Sequence, residues 1–184
     1  MKRDNFTLIE ILGVVALIII LLVIAVGAYT YAMDSSKEKS TKATIARLDN
    51  GFKVLQDKGL LVRTTAMTGN KEGFVTVKFD AENRKIVIGD KELTGETFKL
   101  FAKAIDADSA DGITDDAGYF CDGWDQQMYF RFPGKFNRGG FDIISPGSDG
   151  AFGEENSEFP VIDIAKYKDS ADGEAICDDV ANFL

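Results

Sequence analysis

At 184 residues the chain has room for one compact domain and a long helix, and too little for two large domains with separate cores. Its formal net charge of −9 is uneven: up to Ile105 there are 16 Lys/Arg against 12 Asp/Glu, and from Asp106 onward 5 against 18. The acidic distal part repels nucleic-acid phosphates and anionic head groups and suits cation binding or plain solubility, while the absence of histidine excludes Ser/His/Asp and Cys/His catalysis and imidazole-based zinc sites.

In chain order, residues 1–5 form a short polar, basic opening, and Phe6-Thr7-Leu8-Ile9-Glu10 leads into an apolar run. From Ile11 to Met33 that run has no charged residue. As a helix it covers roughly 35 Å at about 1.5 Å per residue, against a hydrocarbon core of about 30 Å, so it reads as a transmembrane span. A cleaved secretory signal has an apolar core of only about 7–15 residues. Lys2 and Arg3 direct the N-terminus to the cytoplasm by the positive-inside tendency, against which Lys37, Lys39 and Lys42 pull from the far side.

Past Asp34 no proline interrupts the pattern, and Ile45, Leu48, Phe52 and Leu55 recur at spacings of three and four. The spacing predicts one helix from about Thr7 to about Lys58, stopping at Gly59, apolar all round in its first half and amphipathic in its second. A head packs on the amphipathic stripe. Phe74 to Phe79 alternates, as does Arg84 to Ile88 after an Ala81-Glu82-Asn83 turn, which predicts a hairpin. A short helix follows over Glu96 to Ala107, with Phe98, Phe101, Ala102 and Ile105 on one face.

Asp106 to Gly118 reads as an acidic, glycine-punctuated loop, most simply a solvated one. Two more strands are expected near Gln127 to Phe132 and Phe141 to Ser145, separated by a turn-rich Pro133 to Gly140. The end reads as loop, with a last turn of helix near Ala175 to Phe183. The fold class is therefore α+β: a long N-terminal helix on a small antiparallel sheet. Three segments divide the chain: 1–5 as a leader, 6–33 as the membrane and assembly helix, and 34–184 as the head.

Phe6-Thr7-Leu8-Ile9-Glu10 before a long apolar helix resembles the N-terminal signal of type IV pilins and pseudopilins. The resemblance implies a pilin-like fold and a prepilin peptidase that cuts between Asn5 and Phe6 and methylates the new amine. It also implies a bacterial inner-membrane protein, single-pass, with a cytoplasmic N-terminus and a periplasmic or extracellular head. Its partners would be an inner-membrane assembly platform, minor pilin-like subunits and further copies of itself in a filament. Asn5 departs from the glycine usual before the cut, and Gly27 stands where many pilins have proline. That glycine is either a soft point in the helix or a close-packing position between membrane helices.

Glu10 is a carboxylate inside an apolar helix, where a central charge costs about 2.5–3.5 kcal/mol on insertion scales. The resemblance implies that it pairs with the Phe6 amine of a neighbouring subunit. The plainer alternative is an acidic residue favoured by the helix dipole at about 0.3–1 kcal/mol.

Asp122-Gly123-Trp124 leading into a strand, then Phe141 to Ser145 ending in Pro146-Gly147-Ser148-Asp149-Gly150, resembles the distal region of major type II secretion pseudopilins. In that family the second loop holds calcium, which implies Asp149 as a ligand with Asp163, Glu155 and Glu158 as candidates to complete the site. Calcium takes six to eight oxygens, and carboxylates and carbonyls of an acidic glycine-rich loop supply them. An exposed acidic loop without metal is the alternative. Cys121 and Cys177 are positioned to pair in an oxidising compartment, closing a loop of about 57 residues worth roughly 4 kcal/mol, or else to stay as buried thiols. Three functions compete: a non-enzymatic subunit of a pseudopilus or pilus serving protein transport, a membrane-tethered ligand-binding protein that does not polymerise, and an anchored hydrolase using carboxylate pairs, for which no spacing selects a pair. No nucleic-acid partner is expected.

Overall fold

The computed structural model of the chain describes residues 8–61, 73–89, 91–107, 113–152 and 179–183. They divide into two compact units, 1–36 and 37–184, the second of which is called the head here. The fold is α+β: a long N-terminal helix and small antiparallel sheets.

Helix α1 is Leu8–Asp57, 50 residues without a break. Its first part bears exposed apolar side chains on every face, from Leu8 through Met33, and is long and apolar enough to cross a membrane. It passes straight through Gly27, whose carbonyl accepts a bond from the Thr30 hydroxyl at 3.0 Å. From Thr41 the same helix turns amphipathic, burying Thr41, Thr44, Ile45, Leu48, Gly51, Phe52 and Leu55. Termination at the predicted glycine has a clear cause. Gly59 takes φ +68, its amide reaches the Gln56 carbonyl at 2.8 Å, and the Leu60 amide reaches the Leu55 carbonyl at 2.9 Å, the Schellman pattern that uses up carbonyls left over at a helix end.

The expected single strand from Phe74 to Phe79 is two strands in two sheets. β1 (Phe74–Val75) pairs with β5 (Tyr129–Arg131), while β2 (Val77–Asp80) pairs with β3 (Lys85–Ile88). The chain changes partner at Thr76, and alternation of side chains cannot report such a switch because both halves keep the same pleat. β4 (Lys91–Thr94) was not legible at all. It is an edge strand beside β3 with only one apolar residue, and Lys85 bridges to Glu92 across the pair at 2.8 Å.

Helix α2 (Glu96–Ala104) is shorter than expected, ending where Ile105 and then Asp106 at φ +53 leave the helical course. β5 and β6 (Asp142–Ser145) form the predicted distal pair, β5 trimmed at both ends and β6 by Phe141 alone. Of the last helical turn expected near 175–183, residues 175–178 lie outside the described residues, and Val180–Ala181 are not helical but form β7, which adds to β6 opposite Ile144 and Ser145. Among the described residues the sheets run β1-β5-β6-β7 and β2-β3-β4.

The core of the head centres on Phe52 of α1. Its ring lies 4.0 Å from that of Phe141, 5.0 Å from Phe101 and 5.7 Å from Phe130, so one helical residue touches α2, β5 and the entry to β6. One residue earlier, Gly51 lets α2 close in. A Cβ there would stand 2.6 Å from Ile105 Cγ2 and 2.9 Å from the Phe101 ring.

Candidate functional site

Of the run Phe6 to Glu10, the structure describes Leu8, Ile9 and Glu10. Glu10 sits in the first turn of α1, on an exposed stretch, where the unsatisfied amides of a helix start favour an acid. Asn5 and Phe6, where the resemblance leads one to expect cleavage, lie outside the described residues.

The distal motif folds as two adjoining turns. β6 leaves its sheet into Pro146-Gly147-Ser148-Asp149-Gly150, with Gly147 and Gly150 both at φ +72, a left-handed backbone that glycine adopts without strain. Asp149 is exposed, and its Oδ1 accepts the Ala151 amide at 2.9 Å, which pins the carboxylate to its own turn. Glu155, Glu158 and Asp163 lie outside the described residues, and among the described residues no three Asp, Glu or Cys side chains gather closely enough to hold one ion.

Asp122 organises the other turn. It is buried, and Oδ1 accepts the amides of Trp124 at 2.8 Å and Gln126 at 2.9 Å, while Oδ2 takes the Ser145 hydroxyl. Ser145 Oγ in turn accepts the Gly147 amide at 3.2 Å. Burial pushes the Asp122 carboxyl above its usual range and Asp125 adds to that, while the bonds from Ser145, Gln126 and Trp124 oppose them. Gly150 lies against this turn, since a Cβ there would meet the Gln126 amide group at 3.3 Å.

The Asp122 turn rests on α1. The Gly123 amide donates to Thr41 Oγ1 at 2.9 Å, and Thr41 donates to the Lys37 carbonyl at 2.9 Å. No side chain fits at Gly123, where a Cβ would come within 2.6 Å of the Lys37 oxygen. Trp124 and Tyr129 are partly buried, and Tyr129 packs edge-on against Phe152 at 5.4 Å.

Two polar clusters in the head escaped the sequence reading. Asp142, fully buried, accepts Arg131 Nε at 2.9 Å and Arg131 Nη2, together with the amides of Lys135 at 2.7 Å, Phe136 at 3.2 Å and Asn137 at 2.8 Å. The Arg131 guanidinium lies over the rings of Phe74 at 4.5 Å and Phe136 at 5.1 Å. The second cluster joins distant parts of the chain. Asn182 Nδ2 donates to the Phe141 carbonyl at 2.8 Å and to Asp49 Oδ1 at 3.3 Å, and its Oδ1 accepts the Ile143 amide at 3.0 Å. A signal existed for the first, an Arg and an Asp at the mouth of a glycine-rich hairpin. None existed for the second.

Cys121 is a buried thiol that donates to the Tyr119 carbonyl at 3.5 Å. Desolvation first, then the charges of Asp115, Asp122 and Asp125, push its pKa to about 11. Cys177 lies outside the described residues. In the acidic loop, Asp115 Oδ1 caps its own turn by accepting the Tyr119 amide at 2.8 Å, and Asp106, Asp115 and Asp116 are exposed, as a solvated loop requires. Compared with known proteins, the chain matches no family model, no curated protein and no solved structure.

Proposed function

We propose that this chain is a pilin-like structural subunit, not an enzyme, that polymerises through its N-terminal helix into a type II secretion pseudopilus or a type IV pilus-like filament. The observation that carries the reading is the single helix α1, apolar and exposed over its first half and packed in the head core through Ile45, Leu48, Phe52 and Leu55 over its second. A subunit of this design waits in the membrane as a single-pass protein. It then buries the exposed length against copies of itself when it leaves the lipid, because van der Waals packing between helices replaces packing against acyl chains. The Phe-Thr-Leu-Ile-Glu run preceding the span supports processing between Asn5 and Phe6 by a prepilin peptidase, with Glu10 pairing to the new amine of a neighbour. It also supports a cytoplasmic N-terminus and assembly at an inner-membrane platform with minor pilin-like subunits.

Calcium belongs to the same proposal. The distal turn supplies one donor that suits a hard cation in kind, the exposed carboxylate of Asp149. One carboxylate is too few for the six to eight oxygens calcium takes, so the remaining ligands fall to Glu155, Glu158 and Asp163.

Glu10→Ala tests the reading. The variant inserts into the membrane at least as well as wild type, since a carboxylate is removed from an apolar helix, but yields few filaments on shearing. Normal filaments from the variant would remove the assembly role of Glu10. A wild-type chain that forms only dispersed monomers would favour the tethered binding protein instead.

A further inference from the structure

The two distal turns and helix α1 are connected by an unbroken run of polar contacts between buried or half-buried groups. It passes from the Lys37 carbonyl to Thr41 Oγ1, to the Gly123 amide, through the backbone to the Asp122 carboxylate, to Ser145 Oγ, and to the Gly147 amide at the base of the Asp149 turn. Thr41 and Ser145 are fully buried and Asp122 almost so, so no bulk water is at hand to replace a lost partner. Glycines at both ends hold the geometry tight. Gly123 leaves no room against the Lys37 backbone, and Gly150 lies on the Gln126 side chain.

We infer that Asp122 is a positioning residue that couples the Asp149 turn to helix α1, so that ordering the turn also orders the contact at Thr41. Ser148 to Gly150 of this turn are exposed, and exposed segments open locally at small cost. Asp122 supplies the restraint because one carboxylate serves both turns at once, Oδ1 fixing the Trp124 side and Oδ2 the Ser145 side. The part of the inference that concerns a bound cation rests on the calcium reading above, and the coupling itself does not. In a subunit anchored by α1, a cation taken up at the Asp149 turn then stiffens the head where the helix enters it, in addition to stabilising the loop that binds it.

Amide hydrogen exchange on the full chain in detergent micelles tests this, first with EGTA. Thr41→Val, which removes the hydroxyl and keeps the shape, is expected to speed exchange about tenfold at Gly147 and Ala151 as well as at Gly123, while Thr41→Ser, which restores the hydroxyl, stays near wild type. Ser145→Ala reads the coupling from the other end and is expected to speed exchange at Gly123. A rise confined to Gly123 in Thr41→Val and to Gly147 in Ser145→Ala overturns the coupling, leaving two unrelated local contacts. Calcium chloride added to wild type is expected to slow exchange at Ala151 and Gly123 together, and at Ala151 alone in Ser145→Ala. Slowing at Ala151 alone in wild type also overturns the coupling. No change at either amide removes the calcium reading, and the comparison in EGTA still decides the inference.

Discussion

The carboxylate of Asp142 meets the guanidinium of Arg131 inside the head, with Nε at 2.9 Å from Oδ2 and the amides of residues 135–137 closing the remaining directions. Both side chains are almost wholly shielded from water. Removing one partner leaves a charge with neither solvent nor counter-ion, so Asp142→Ala is expected to cost about 3–5 kcal/mol by chemical denaturation of the full chain in detergent. The paired replacement Arg131→Met with Asp142→Leu should cost less than Asp142→Ala alone. Equal losses in the two would mean that the amide cradle matters and the ion pair does not.

Gly51 offers a sharper test of packing between α1 and α2. Gly51→Ala drives a methyl to within 2.6 Å of Ile105 Cγ2 and 2.9 Å of the Phe101 ring, so overpacking should destabilise the head by about 1–3 kcal/mol although alanine is the better helix former. Ile105→Val in the same chain removes the δ carbon and leaves Cγ2 in place, giving little relief, whereas Ile105→Ala removes the clashing atom. Ile105→Ala also empties buried volume, so the clash is read from non-additivity: Gly51→Ala with Ile105→Ala should cost less than the sum of the two single losses, and additive losses would remove the clash.

Much of the fold was legible because α1 speaks in a strong period and ends at a glycine whose conformation only glycine takes cheaply. Ile45, Leu48, Phe52 and Leu55 lie on the buried face that their spacing demands. The sheets were less legible. Thr76 changes partner without breaking alternation, Lys91–Thr94 is held by its neighbour more than by its own apolar content, and Val180–Ala181 becomes a strand only because β6 offers an edge. At the distal site, Asp149 and its glycines stood out as a loop motif. Asp122 and Ser145 carry their roles through burial and a bond across 23 positions, which no local pattern encodes.

Asp122 makes the stability of the head depend on pH in a definite direction. Its folded pKa is raised above the unfolded value near 3.8, so its contribution is fully present below that value and is lost as pH rises through the folded pKa. The stability difference between wild type and Asp122→Asn should therefore move in favour of wild type as pH falls from neutral toward the ordinary carboxylate range. Comparing the two chains cancels opposing groups such as Asp80, whose pKa is lowered chiefly by the Asn83 amide. Parallel stability curves for the two proteins would contradict the assignment.

Cys121 should be a slow nucleophile. With its pKa at about 11 and its sulfur buried, almost none is thiolate at pH 8, and iodoacetamide should label it in the native, reduced chain far more slowly than after denaturation. Mass spectrometry of the Cys121 peptide reads the outcome. Rapid native labelling would place the thiol at the surface. A peptide recovered linked to that of Cys177 from unreduced protein would establish the pair.

Calcium should raise the melting temperature of the full chain in detergent, and chelator should lower it. A ligand that binds only the folded state contributes about 2.7 kcal/mol at a hundredfold excess over Kd. Asp149→Ala should lose most of this gain, and magnesium should substitute poorly because it keeps its octahedron of water. Coincident melting curves with calcium and chelator would reduce the distal turn to a solvated acidic loop.

The clasp between Asp49 and Asn182 joins positions 133 residues apart. Until residue 182 has been synthesised, the Ile143 amide and the Phe141 carbonyl lack their Asn182 partners, and Ser145 and Ile144 lack the strand beside them. The helix, by contrast, is complete after Gly59. A ribosome adding about 5–20 residues per second therefore delivers the rod several seconds before the head can close on it. Biogenesis then has a fixed order in time, with the long apolar helix made first and the folded head last. Through that interval the Phe52 face of the rod stands uncovered, which is when an accessory factor that shields apolar surface would have most to do.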